Sequence, residues 1–273
     1  MSRETKQEEP HCACAPWSVR NDCMLLLLFC SMALVPYVEN SLPVLSKLHS
    51  SSAEFRFVDR DLRLAQDWKR LGVAAVVWDA AVVLCMYLEL GQVDLKEKEV
   101  IELGAGTGLV GIVAALMGEF NNLAQKISFK FELYIEVCSF PGARATITDR
   151  EPALDFLSSN VKANLPADSP GSAVVSELSW GEGLDRYPAG GFDLVLGADI
   201  IYLEDTFGPL LRTLEHLCSE STLILLACKI RYQRDSDFLS LLGQRFGIRE
   251  VHYDKERDIH VYKAWKLSPV KDL

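Results

Sequence analysis

The sequence predicts a doubly wound α/β sheet whose last strand enters antiparallel. Three observations carry this. Apolar strands alternate with helical segments from residue 100 onward, the pattern of a parallel sheet with crossover helices. A glycine turn, Gly104-Ala105-Gly106-Thr107-Gly108, joins the first buried strand to the first of these helices. Two strand-like runs close the chain, Ile248 to Tyr253 and Ile259 to Trp265. Only the charged turn Asp254-Lys255-Glu256-Arg257-Asp258 separates them, which makes them a hairpin.

Phe55, Phe57, Leu62 and Leu64 alternate with charged residues around Asp59-Arg60-Asp61, so an N-terminal β-hairpin is expected. Gly72 to Leu90 is apolar nearly all round, as in a helix buried against a sheet, with Trp78 and Asp79 interrupting it. Strand and helix then alternate: a strand at 100–103, a helix at 108–117, a strand at 145–148 ending on Asp149, and a helix at 151–164. Ala173 to Leu178 reads as a strand. Phe192 to Ala198 is another, apolar except for Asp193, as expected at the centre of a parallel sheet. A helix at 206–218, the strand Thr222 to Cys228 and a helix at 235–246 lead to the closing hairpin.

The glycine turn suggests a nucleotide-like ligand. Glycines at 104, 106 and 108 allow a tight turn and close backbone approach, and the helix that follows brings its N-terminus to the same place. Position 109 is Leu, so the G-x-G-x-x-G dinucleotide fingerprint is not met, and a purely structural turn remains an alternative. Asp149, at the end of the neighbouring strand, is placed to accept hydrogen bonds from ribose hydroxyls. It can equally begin the helix that follows, where acids and Pro152 are favoured. Together the two features favour adenosyl recognition.

Composition narrows the field. The chain has 273 residues, 49% of them hydrophobic, enough for one substantial core. A formal net charge of −10 argues against nucleic acid as the main partner, since phosphate binding needs a basic face. The eight cysteines are irregularly spaced, and Cys85, Cys218 and Cys228 lie in apolar runs, which reads as buried cytosolic thiols. His11, Cys12 and Cys14 have no second cluster at ligand spacing, so no metal site is expected. Residues 24–35 are apolar, but the acidic residues before them are unlike a signal peptide's basic start. Residues 1–31 are expected to be a poorly ordered extension, with no membrane anchor.

Residues 119–142 break the alternation. Connections in such folds take about 2–6 residues, and this one takes roughly two dozen, with an apolar stretch from Phe129 to Val137. Without it, Asp149 falls about 20 residues beyond the glycine turn, the spacing of a βαβ unit with a ribose-binding acid. An insertion into the core is expected, with a functional lid or hairpin as the alternative.

Several blocks now carry a resemblance: Leu71-Gly72-Val73-Ala74-Ala75-Val76-Val77-Trp78-Asp79-Ala80-Ala81, Glu102 to Ala115, Ile147-Thr148-Asp149-Arg150 and Leu178-Ser179-Trp180-Gly181. Phe192 to Glu204, containing Asp199-Ile200-Ile201-Tyr202, and Leu225-Leu226-Ala227-Cys228 complete the set. From Asp67 to Trp265 the chain resembles the seven-strand S-adenosylmethionine-dependent methyltransferases. More closely it is similar to the methyltransferase-like 21 group of protein-lysine methyltransferases, and within it to the member acting on seventy-kilodalton heat-shock chaperones. Members of that group start at the equivalent of Met32 and lack residues 119–142, so the methyltransferase domain is expected over 32–273.

The resemblance implies S-adenosyl-L-methionine as cofactor, bound by Trp78, Gly104, Ala105, Gly106, Asp149, Trp180 and Ala198. Glu102 is expected beside the glycine turn, where an acid meets the ammonium group of the amino-acid end. Residue types alone favour ordinary core positions for both tryptophans; the resemblance moves Trp180 to the adenine and Trp78 to the pocket wall. Asp199 is expected to accept a hydrogen bond from the incoming lysine, and Tyr202 to line the lysine channel. Asp199 as a simple turn cap is the alternative. The implied activity is methylation of a lysine on cytosolic heat-shock chaperones by a cytoplasmic monomer. Two rivals remain: another protein or small amine as acceptor, and a non-catalytic chaperone-binding form if the insertion distorts the pocket.

Overall fold

The computed structural model describes residues 49–117, 143–165 and 173–267. The extension expected over 1–31 and the insertion expected over 119–142 lie outside the described residues.

A hairpin comes first, β1 (Ser52–Phe57) against β2 (Arg60–Ala65), with Phe57 opposite Arg60. Its two loop residues, Val58 and Asp59, both have φ 53°, as a two-residue turn matching the twist of paired strands requires. A β-branched residue is strained there. Val58 is nonetheless buried, and its N–H donates to Glu89 Oε1 at 2.6 Å. Leu62 and Leu64 face the core, as their alternation with charged residues predicts.

The main sheet has seven strands in the order β5-β4-β3-β6-β7-β9-β8. These are β3 (Glu99–Leu103), β4 (Arg144–Asp149), β5 (Ala173–Glu177), β6 (Phe192–Ala198), β7 (Cys218–Cys228), β8 (Phe246–Asp254) and β9 (Ile259–Lys266). Pairing is parallel from β5 through β7, while β9 runs antiparallel to both β7 and β8. The expected fold class, with its antiparallel last strand, is the one found.

Helices cover both faces: α1 (Asp79–Glu89), α2 (helical over 109–117), α3 (Leu154–Asn164), α4 (Phe207–Leu217) and α5 (Gln233–Gly243). Side-chain alternation along β3 divides the core. Val100 joins a cluster with α1, α2, α3 and the hairpin, whereas Ile101 and Leu103 join one with α4 and α5. On α4, Leu210, Leu214 and Leu217 are fully buried at helical spacing.

One expectation needs correction. Gly72 to Leu90 is not a single helix: a helical turn at Trp68–Leu71 and a 3-10 turn at Gly72–Ala75 precede α1, and Val76 between them and the helix is extended. Gly72 takes φ 59°, which ends the first turn. Gln66 then captures the N–H of Val77 on its Oε1 at 2.9 Å, and Asp67 N–H bonds Ala75 O at 3.0 Å. Tertiary hydrogen bonds outweigh the helical pattern there, and the backbone of Ala74 packs on the glycine turn instead. The other differences are at boundaries. Strand β7 begins four residues before Thr222, and α5 begins two residues before Asp235, whose carboxylate accepts from the backbone of Arg231 and Tyr232 at 2.8 and 3.0 Å.

The hairpin is held to α3 by two side-chain amides that imitate a strand edge. Asn160 Oδ1 accepts from Ala65 N–H at 2.8 Å, and its Nδ2 donates to the carbonyls of Ala65 and Thr107, each at 3.2 Å. Asn164 repeats the pattern on Arg63, accepting at 2.8 Å and donating at 3.0 Å. Because Asn160 is buried and Thr107 belongs to the glycine turn, Asn160 links hairpin, helix and turn. Removing it strands buried backbone groups, which costs about 1–3 kcal/mol. Asn160→Ala is expected to lower the urea midpoint by that order with an unchanged m-value, and Asn164→Ala, at the exposed end, by clearly less.

Candidate active site

The site is built at the carboxyl ends of the parallel strands, starting from the glycine turn after β3. Gly106 has φ 57°, and a Cβ there would lie 2.9 Å from the carbonyl oxygen of Ala74, so only glycine lets the 72–75 turn pack onto the loop. A Cβ on Gly104 would meet Trp180 Cζ2 and Ile200 Cγ2, each at 3.1 Å. Trp180 and the segment after β6 therefore converge on the same turn.

Two carboxylates hold the turn from below. Asp149 Oδ2 accepts the N–H of Gly106 at 2.8 Å, and its Oδ1 accepts the N–H of Arg150 at 2.7 Å. Ala105 N–H reaches the carbonyl of Thr148 at 2.9 Å, while Thr148 Oγ1 donates to the carbonyl of Glu102 at 2.6 Å. Each oxygen of Asp149 keeps a lone pair for a further donor, as recognition of two adjacent hydroxyls needs. Asp149 thus acts within the turn and does not begin the next helix, which starts through a 3-10 turn at Glu151–Ala153.

Glu102 is more deeply placed than its sequence position suggests. It is 3% exposed, and its Oε2 accepts the N–H of Gly111 at 2.8 Å, at the start of α2. Burial raises its carboxyl from an ordinary value of 4.5 to about 8; the bond from Gly111 opposes the shift and the nearby charge of Asp149 adds to it. A cation brought to this carboxyl would find a buried acid lacking a countercharge.

The remaining expected residues divide between wall and floor. Trp78 stands before α1, not on a helix as expected, and its indole N–H donates to the carbonyl of Val73 at 2.9 Å. That bond fixes the ring against the segment overlying the turn. Trp180 is half-buried and also packs on the core cluster around α4. Ala198 ends β6, paired with Ala227 of β7.

Asp199 follows in the left-handed region, φ 54°, with its N–H on the carbonyl of Ala227 at 2.8 Å. Its side chain is 11% exposed. Tyr202 is 37% exposed, and its phenol is raised by burial, with Arg150 lowering it and Asp149 and Asp199 raising it further. Sequence reasoning missed Arg231, whose guanidinium forks onto both oxygens of Asp199, each at 2.8 Å. A basic residue just beyond β7 was the available signal, and it acquires meaning only once β7 is known to lie beside β6.

The profile of a family described as lysine methyltransferase matches residues 56–245, well over half of the chain. The chain belongs to the lysine methyltransferase family. The protein N-lysine methyltransferase METTL21A of Danio rerio is 62% identical over 242 residues, covering 89% of this chain and all of the relative. The Mus musculus protein of that name is 53% identical over the same shares. EEF1A lysine methyltransferase 3 of Mus musculus is 42% identical over 79% of this chain and 83% of its own.

This lysine methyltransferase takes S-adenosyl-L-methionine as methyl donor and a protein as acceptor. The residues present fit that donor: a turn tight against a Cβ at Gly104 and closed to one at Gly106, an aromatic ring against it, and Asp149 with lone pairs free. Glu102 adds a buried acid suited to an ammonium.

Two outcomes follow. Gly106→Ala places an L-residue at φ 57° against a carbonyl oxygen, so a stability loss of about 1–2 kcal/mol and weaker donor binding by calorimetry are expected. Glu102 binds a proton in the folded state that the unfolded chain lacks between pH 4.5 and about 8. Its contribution to stability is fully present below the unfolded value and is lost as pH rises through the folded one. The free protein should therefore lose melting temperature across that window. Glu102→Gln, which still accepts from Gly111, should remove most of that slope.

Proposed function

We propose that the protein methylates a lysine of seventy-kilodalton heat-shock chaperones in the cytoplasm, acting as a monomer. The observation that carries the reading is the approach of Trp180 and Ile200 to Gly104, which sets Asp199 directly before a residue that borders the donor's turn. Similarity to the chaperone-modifying member over six separate blocks supports the acceptor. Buried free thiols at Cys85, Cys218 and Cys228 suit a reducing compartment, and burial pushes the Cys218 thiol up to about 12.

When bound, the donor supplies a methyl group activated on a sulfonium. The protein's own task is then positioning, because an in-line displacement gains most from alignment. Asp199 accepts a hydrogen bond from the incoming amine and aims its nitrogen. The acceptor lysine starts from a pKa of about 10.4 and must lose a proton before attack. Burial against Tyr202 removes water from the ammonium and lowers that pKa, as does a neighbouring positive charge. Glu102 and Asp149 hold the donor's two ends apart from this step.

A second acceptor has a specific observation behind it. The 42% identical mouse relative is named for EEF1A, so that elongation factor is the rival protein substrate.

Incubation of the full chain with radiolabelled S-adenosylmethionine and cytosolic extract tests the proposal, with a 119–142 deletion alongside. Label from both proteins at the size of a seventy-kilodalton chaperone is expected. Label at the size of EEF1A instead would replace the acceptor, and label from the deletion alone would make this chain a non-catalytic form. Asp199→Ala should keep donor binding by calorimetry and lose about 100-fold or more in turnover; equal loss of both would remove its assigned role.

A further inference from the structure

The fork between Arg231 and Asp199 has no part in the scheme above, yet it is built from both sides. Asp199 and Arg231 follow β6 and β7, adjacent parallel strands that pair up to Ala198 and Ala227. Asp199 is held in a left-handed conformation, φ 54°, that disfavours a side chain, and its N–H is bonded to the carbonyl of Ala227. Strain of this kind persists where neighbouring structure fixes it, commonly at working sites. Arg231 is fixed in turn, its N–H donating at 2.8 Å to Asp235, a carboxylate 3% exposed at the start of α5. Other basic groups nearby are engaged elsewhere: Lys229 with Asp258 at 3.4 Å, and Arg234 over the Tyr232 ring at 4.5 Å.

We infer that Arg231 is a positioning residue for methyl transfer, clamping Asp199 in one rotamer so that its remaining lone pairs face the acceptor amine. The inference rests on the reading of Asp199 as the group that meets the lysine. Each carboxylate oxygen accepts one N–H of the guanidinium and retains a lone pair, so the clamp leaves Asp199 able to bind the substrate. Two parallel bonds also fix the carboxylate plane, which a single bond does not. A lysine in this place would supply charge without the fork.

The test compares Arg231→Ala, Arg231→Lys and Asp199→Asn with the unaltered full chain. Steady-state methylation of a recombinant seventy-kilodalton chaperone, with EEF1A as the substitute acceptor, gives kcat and KM. Calorimetry gives the Kd for S-adenosylmethionine. Arg231→Ala is expected to lose about 10- to 100-fold in kcat, the scale of a misplaced reacting group. Acceptor KM and donor Kd should stay within about threefold, and Arg231→Lys should recover only part of the loss. Should Arg231→Ala fail to fold, Arg231→Lys alone decides, and full activity in it overturns the clamp. Unchanged kcat in Arg231→Ala, or a loss confined to KM or donor Kd, also overturns it. Full activity in Asp199→Asn would instead remove the role of Asp199 on which the clamp depends.

Discussion

The functional end of this fold depends on two carboxylates that hold one glycine turn. Asp149 and Glu102, from adjacent strands, each accept a backbone N–H from the turn or the helix it opens, both at 2.8 Å. A loop with several residues at positive φ has little intrinsic preference for one shape, because glycine gives up much conformational freedom on folding. Hydrogen bonds to these two acids on rigid strands offset that cost and set the loop's height above the sheet. Trp180 and Ile200 then pack tightly on Gly104, and the 72–75 turn packs on Gly106 at a distance that leaves no room for a Cβ.

The N-terminal hairpin is part of this arrangement. Asn160 and Asn164 treat β2 as a strand edge, and Asn160 also reaches the turn through Thr107. Gln66 and Asp67, just beyond the hairpin, bond Val77 and Ala75 and so lay the segment before α1 across Gly106. A short two-stranded element, marginal alone, is tied to α3 and to the glycine turn by a few polar bonds.

Acidity suits the chemistry. Both reactants of lysine methylation are cations, and Glu102, Asp149 and Asp199 all stand at the carboxyl edge of the sheet. Their environments differ. Glu102 is buried and keeps its proton up to about 8, Asp149 is committed to backbone N–H groups, and Asp199 is forked by Arg231. Three chemically similar side chains are thereby given different environments by solvent access and partners.

Periodicity and turn chemistry by themselves determined the strand and helix alternation, the closing hairpin and the glycine turn, because each is a local pattern with a local physical cause. Asp149 and Asp199 were legible too, since an acid that ends an apolar strand must emerge at the sheet's edge. Tertiary structure alone decided the rest. The apolar run from Gly72 broke before α1 because Gln66 captured an N–H the helix would have used, and no local pattern encodes that competition. Glu102 went beneath the turn because α2 presents Gly111 there, where even a Cβ would crowd the carboxylate. Arg231 found Asp199 because β7 lies beside β6, a consequence of strand order. Sequence separation conceals such pairings: contacts across 32 residues follow from how strands assemble, and the chain expresses that only when folded.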